Sequence, residues 1–376
     1  MGVPVVKFND KDQPEFYKEL RSRVNAYFKE KNVSKNANMN MYVKTAFMLL
    51  LYLVPLTLML TGVVTSVWPV IGMWAIMGFG EAGIGLSIMH DANHGSYSKK
   101  QNVNWFFGAV LNLVGGYHIN WKIQHNVLHH SFTNIDGYDE DIEKQGIVRF
   151  SPTQERKGFF RFQIFYAPIL YGILTLYWAT VKDYEQLVRY NKLGLLEAQG
   201  VTFKQALLRI ILNKLWYYAL LIALPLILIP VSWWIVVLGY VLMQFIAGLI
   251  LALIFQAAHV LEETEFYVAD ENNSVDNNWA IHQMKTTANF ANGSVFFSWF
   301  IGGLNYQIEH HLFPHVCHVH YRKIAHIVKE TAEEFDVPYH SHKTFFGALK
   351  SHFKLLHALG TGKYDKKLKA KTAAAA

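Results

Sequence analysis

From Thr45 to Ser98, and again from Leu215 to Met284, the chain carries no lysine or arginine. Gaps of that length in the cations, filled with Leu, Ile, Val, Met and aromatic residues, restrict the fold to one in which long apolar helices lie in lipid or in each other. Thr45 to Trp68 is about 24 residues long, enough at about 1.5 Å per residue to cross a bilayer. Pro69 breaks it, and Val70 to Met89 makes a second run holding one carboxylate, Glu81. Leu212 to Pro230 and Ser232 to Ala258, around the turn Ile229-Pro230-Val231, make the third and fourth. Trp105 to Tyr117 and Phe296 to Leu304 are too short to span. Phe159 to Thr180, with Arg161 near its start and Lys182 just beyond, reads as an interfacial or buried helix pair.

Charge placement gives the topology. The loops at Trp68-Pro69 and Ile229–Ser232 carry no positive charge, so the positive-inside rule puts both termini and the other connections in the cytosol. Four spans satisfy this; a fifth at Phe159 to Thr180 would send the later chain to the opposite face. The membrane accounts for the net charge of +7, and no basic stretch interleaved with aromatics points to nucleic acid. Apolar residues reach 52% and charged ones only 17%, against about 25% in soluble domains. The single cysteine, Cys317, excludes a disulfide framework and a cysteine-held iron–sulfur cluster. Residues 1–44 read as a cytosolic segment with an amphipathic helix from Pro14 to Lys31 and no signal peptide. Residues 45–360 form one membrane domain, and 361–376 read as a disordered tail.

Histidines gather where the apolar runs end. His90 and His94 follow the second run, and His259 closes the fourth. His125, His129 and His130 lie in Trp121–His130, where a regular helix puts His125 and His129 on one face. Gln307, His310 and His311 form the third cluster. One such pair is more often ordinary surface or core histidine, but three clusters on one membrane face are not. Neutral imidazole binds iron, zinc or copper, and eight imidazoles exceed one tetrahedral zinc while suiting two metals of higher coordination number.

The chain resembles the membrane fatty-acid desaturases. The resemblance runs from about Asn40 to Gly360 and rests on His90-Asp91-Ala92-Asn93-His94-Gly95, on His125-Asn126-Val127-Leu128-His129-His130 with Thr133-Asn134, on Ala258-His259-Val260, and on Gln307-Ile308-Glu309-His310-His311 running into Pro314. Gln307 in place of a histidine marks the front-end group, and Trp279 and Thr286–Phe290 resemble that group too. The resemblance implies an all-α integral membrane protein of four transmembrane helices under a cytosolic helical cap. The cap would hold two non-haem irons on His90, His94, His125, His129, His130, His259, His310 and His311. It implies removal of two hydrogens from neighbouring carbons of an acyl-CoA or acyl-lipid, with dioxygen and two external electrons, in Δ6 fashion. Gln307 is expected to hold a water or act as a weak ligand.

Asp91, Asp139, Asp141 and Asn134 are expected to orient ligand imidazoles or to cap nearby backbone, with Glu309 equally well an ordinary polar group. Glu81 and Gly85 are candidates for an acyl tunnel, because an intramembrane carboxylate is costly unless it serves something. His118, His282, His315, His318, His320, His326, His340, His342, His352 and His357 read as capping or surface residues, with His282 the one nearest to a role. The sequence contains no haem-binding His-Pro-Gly-Gly, so the expected electron donor is a separate ferredoxin or free cytochrome b5, and the expected membrane is the bacterial cytoplasmic one. The rival readings are a di-iron membrane hydroxylase, an integral zinc hydrolase, which would need only about three histidines and a water-activating acid, and a metal transporter, whose ligands belong near the bilayer midplane.

Overall fold

Four apolar helices run Met39–Leu60, Val67–Asn93, Phe203–Leu228 and Trp233–His259 in the computed structural model, which describes residues 6–142 and 146–368. They are the first to fourth spans. Each begins where the sequence supplies a start. Asn38 caps the first through its side-chain oxygen, which accepts from Met41 N at 3.3 Å. Thr202 and Gln205 form a reciprocal capping box at the third. Pro69, expected to separate two spans, instead lies in the first turn of the second, where a missing N–H is harmless.

The second span is the inner one and packs between the first and the fourth. Glycines permit it: a Cβ on Gly78 would sit 2.7 Å from Met243 O on the fourth span, and one on Gly80 would sit 2.8 Å from Tyr52 N on the first. Trp74, Tyr52, Tyr217 and Met243 fill the space between them. Leu50, Val54, Leu215, Ile227 and Trp233 are exposed on the outer faces, as helices in lipid require.

The segment expected as a helix pair is one: Gly158–Gly172 and Leu174–Lys192 meet at Ile173 with a bend of 56°. A cap closes the end where the first and third spans begin and the second and fourth finish. Its outer helix, Pro14–Glu30, buries Phe16, Leu20, Val24 and Phe28 against Tyr321–Glu334, whose Ile324, Val328 and Ala332 face it. Short parallel pairs, Lys7–Phe8 with Ser274–Val275 and Ala288–Phe290 with His340–His342, tie loops to the cap. The C-terminal tail departs from the expected disorder as far as it is described: residues 363–368 are helical, with Arg149 holding Asp365 bidentately at 2.9 Å. Residues 369–376 of that tail lie outside the described residues.

Candidate metal centre

Two stretches of π-helix set the site. The second span widens at Ile84–Ile88 just before His90, and the second box is itself π-helical from Ile123 to His129. A π-turn bonds i to i+5 and recurs at functional sites. The expected pairing of His125 with His129 persists, the two rings stacked at 5.5 Å and grouped with Asp141. His125 Nε2 also lies 3.2 Å from His130 Nε2 and 3.1 Å from His90 Nε2, while His129 also meets His259 and His311. The eight imidazoles divide accordingly. His90, His94, His125 and His310 form one group, and His129, His259 and His311 form another. His130 stands between them, its Nε2 2.9 Å from that of His310 and its ring stacked on His311 at 4.3 Å.

Buried nitrogens facing one another without protons to share are a strained arrangement unless something lies between them. Among the described residues, His94 Nε2, His259 Nε2 and His311 Nε2 are buried with no hydrogen-bond partner. Burial, with the neighbouring imidazoles adding to it, holds His125, His130, His310 and His311 well below the usual histidine pKa. These rings therefore stay neutral and keep their lone pairs. An all-nitrogen set of this kind fits borderline transition metals such as iron.

The other ring nitrogen of several rings is tied down. His129 Nδ1–H donates to Asp139 Oδ2 at 3.0 Å, while Asp139 also accepts from Asn134 N at 2.9 Å and Asp141 N at 3.0 Å. Asp141 lies farther off, 3.8 Å from His129 Nδ1, and accepts from Gln124 Nε2 at 2.5 Å. Asn134, with a left-handed φ of 57°, donates to His259 O at 2.9 Å and Glu265 O at 3.1 Å, so it fixes the end of the fourth span. Gln307 lies beside His259. Asp91 Oδ1 lies 3.6 Å from His90 Nδ1, and its other oxygen is taken by His318 Nδ1–H at 2.8 Å and His318 N–H at 3.0 Å. Glu309 accepts from Asn289 and Tyr339, each at 2.8 Å, and burial pushes its carboxyl up to about 7.

One helix that orients the site was not singled out as such from the sequence. On Trp279–Thr286, Gln283 Oε1 accepts from His311 Nδ1 at 2.7 Å and from the Thr133 hydroxyl at 2.9 Å, while its Nε2 donates to His130 O at 3.3 Å. Trp279 Nε1 donates to the same carbonyl at 3.3 Å, His282 bonds Thr133 O at 2.7 Å, and Thr286 O lies 3.3 Å from His259 Nδ1. Trp279 and Gln283 are one turn apart, a spacing that was visible but carried no chemical signature of its own. Lys44 was missed too: it is buried, donates to His318 Nε2 at 2.6 Å and lies over the Trp299 ring.

The remaining histidines stand apart. His118 faces Asn112, His320 bonds Asn36 O, and His352 sits between the Tyr171 hydroxyl and Val260 O. His315 and His326 reach solvent, and His340, His342 and His357 are partly covered.

An apolar cavity of about 460 Å³ leads to the first imidazole group. Glu81, Gly85 and Met89, four residues apart along the second span, line one wall together with His90. Leu111, Val114 and Trp121 line another, Ala252, Phe255 and Gln256 of the fourth span a third, and His125 and Gln307 stand at the imidazole end. Glu81 is buried and accepts from Gln244 Nε2 at 3.2 Å. The bend at Ile173 brings Leu174, Thr175, Tyr177 and Trp178 to the same cavity. At its polar end, Arg189 pairs with Glu140 at 3.0 Å.

Comparison with known proteins gives a consistent answer. The family described as Fatty acid desaturase matches residues 66–343. The chain is 38% identical over 341 residues to a protein of Arthrospira platensis named sn-1 linoleoyl-lipid 6-desaturase, covering 91% of each chain. A Synechocystis protein of the same name is 36% identical over 360 residues, covering 94% of this chain and 98% of that one. An acyl-lipid (8-3)-desaturase of Physcomitrium patens is 37% identical over 367 residues, covering 94% of this chain and 74% of its own length.

Proposed function

This chain belongs to the fatty acid desaturase family, and from that premise we propose that it inserts a Δ6 double bond into a linoleoyl-type chain esterified to a membrane lipid. It is an integral membrane oxidoreductase that uses dioxygen on a fatty acyl substrate. The observation that carries the finer reading is the junction of cavity and imidazoles: a mostly apolar slot runs along Glu81, Gly85 and Met89 and ends on His90 and His125. The Δ6 position and the lipid ester are carried over from the names of the relatives in Arthrospira and Synechocystis.

His90, His94, His125 and His310 would hold one iron, and His129, His259 and His311 the other, with His130 between them. When bound, the irons supply, with dioxygen and two electrons, the oxidising power to take hydrogen from an unactivated C–H bond, which zinc cannot do. The chain's own residues do the rest. Burial keeps the imidazoles neutral and ready to ligate. Asp139, Gln283, Thr286 and Tyr321 fix ring orientation, which pre-sets geometry rather than leaving it to the moment of reaction. The slot walls would hold two adjacent methylenes beside His90. Gln307, beside His259, would hold a water rather than act as a ligand, because an amide is the weaker donor to a metal.

The cap lies in the cytosol on the positive-inside argument, in a bacterial cytoplasmic membrane, and a separate donor protein supplies the electrons. The deciding test is gas chromatography–mass spectrometry of fatty acids from a linoleate-fed host. A new trienoic acid is expected with the wild type and absent with His129→Ala. A hydroxylated chain instead would move the activity to the hydroxylase, and one zinc per chain in the purified protein would overturn the iron reading.

A further inference from the structure

A cationic side chain is sealed in behind the first imidazole group. Lys44, on the first span, is only 1% exposed, and His90, Asp91 and His318 are buried with it. Its Nζ lies 2.6 Å from His318 Nε2. An ammonium can donate but not accept, so His318 Nε2 is the acceptor and the ring proton sits on Nδ1. That proton goes to Asp91 Oδ2 at 2.8 Å, and the His318 backbone N–H meets the same oxygen at 3.0 Å. The other carboxylate oxygen lies 3.6 Å from His90 Nδ1. His90 turns its opposite nitrogen, Nε2, into the imidazole group, 3.1 Å from His125 Nε2. A continuous line thus runs from Lys44 through His318 and Asp91 to the outer nitrogen of His90.

The surroundings of this line are apolar. Met41, Ala92, Tyr97 and Cys317 pack beside it, and the Lys44 ammonium lies 5.4 Å from the centre of the Trp299 ring. Opposite charges buried this deeply add little to stability compared with apolar side chains of the same volume, whereas in a dry interior each acts strongly on its neighbours. Asp91, Cys317 and His318 also bring three metal-binding atoms together. Both nitrogens of His318 are taken, however, one by the ammonium and one by the carboxylate, which leaves that ring no lone pair for a metal.

We propose that Lys44 is a positioning residue for the metal held by His90, His94, His125 and His310: through His318 it offsets the charge of Asp91 and so sets how strongly that carboxylate draws on the His90 Nδ1–H. The inference rests on the metal reading above, in which His90 ligates through Nε2 and keeps its proton on Nδ1. A carboxylate behind a ligand imidazole makes the ring more basic, and a more basic ring favours the more highly charged metal. Lys44 opposes this, both through the hydrogen-bonded line and through its own positive charge. It therefore keeps the site easier to reduce than a bare Asp91 would allow.

The test is an anaerobic potentiometric titration of the purified full-length protein in detergent, loaded with iron and followed by electron paramagnetic resonance. Lys44→Gln keeps a donor for His318 and removes the charge, while Lys44→Met removes both. Each is expected to raise the preference for ferric over ferrous iron about tenfold, which lowers the one-electron midpoint by about 59 mV, with the iron content unchanged. Lys44→Met is expected to lose melting temperature as well, and Lys44→Gln to lose less, so the second variant carries the test if the first does not fold. Lys18→Gln, in an exposed pair with Glu15, is expected to keep the wild-type midpoint. A lower melting temperature with an unmoved midpoint in both Lys44 variants would overturn the proposal and make the line a purely structural one. The same midpoint shift in Lys18→Gln would overturn it too, since any cation would then serve. An additional metal ion lost on Cys317→Ser would show the cluster to be a metal site instead. A wild type that takes up no iron would remove the metal reading and the inference with it, whereas full iron content with unmoved midpoints would sink only the role of Lys44.

Discussion

His125 and His130, five residues apart on one π-helical turn, bring their Nε2 atoms to 3.2 Å from each other, and His129 between them faces His259 and His311. On the proposed function, the turn would give neighbouring histidines to different metals. His125→Ala and His129→Ala should therefore each remove about one of two irons per chain by mass spectrometry of the metal, and each should abolish the trienoic product. Loss of both irons from either variant would show a single, indivisible site.

Gln283 holds His311 by its Nδ1, Thr133 by its hydroxyl and His130 by its carbonyl. Gln283→Leu leaves all three without their partner. The expected result is iron held about 10–100-fold less tightly in a chelator competition. Gln283→Glu, which keeps the acceptor for His311, should recover part of that loss.

Gly85 lines the cavity, and a Cβ there would meet Leu251 Cδ2 at 3.2 Å. That is the mobile end of a side chain, so alanine fits and valine narrows the slot. Gly85→Val should lower turnover of 18-carbon chains more than of 14-carbon chains in a host supplied with both. Equal loss for both lengths would detach Gly85 from the acyl path.

His352 is buried between the Tyr171 hydroxyl and Val260 O, and burial pushes its pKa down to about 4. The unfolded chain takes up a proton below about 6.5 that the folded chain refuses until about pH 4, so stability falls as pH falls through that window. At pH 5 the loss is about 2 kcal/mol from this group. The wild type should show a drop in melting temperature between pH 7 and pH 5 that is smaller in His352→Gln, measured with the acyl-lipid environment held constant.

The four spans were legible because hydropathy is a local property. A long apolar run free of charge reads as a helix in lipid wherever it packs, and only boundaries moved: the first span ends at Leu60 rather than Trp68, because Thr61–Ser66 turn before the next helix starts at Val67. The box histidines were legible for the same reason, their spacing being written along one segment. What the sequence by itself could not determine was how eight imidazoles divide. That depends on two π-turns, which follow from packing rather than from propensity, and on the meeting of His129, His259 and His311 across about 180 residues of chain. Gln283 and Lys44 were invisible for a related reason. An amide on a polar helix and a lysine at the edge of an apolar run look like surface residues until distant segments close over them. Only the tertiary structure decides which polar groups lose water and must find one another.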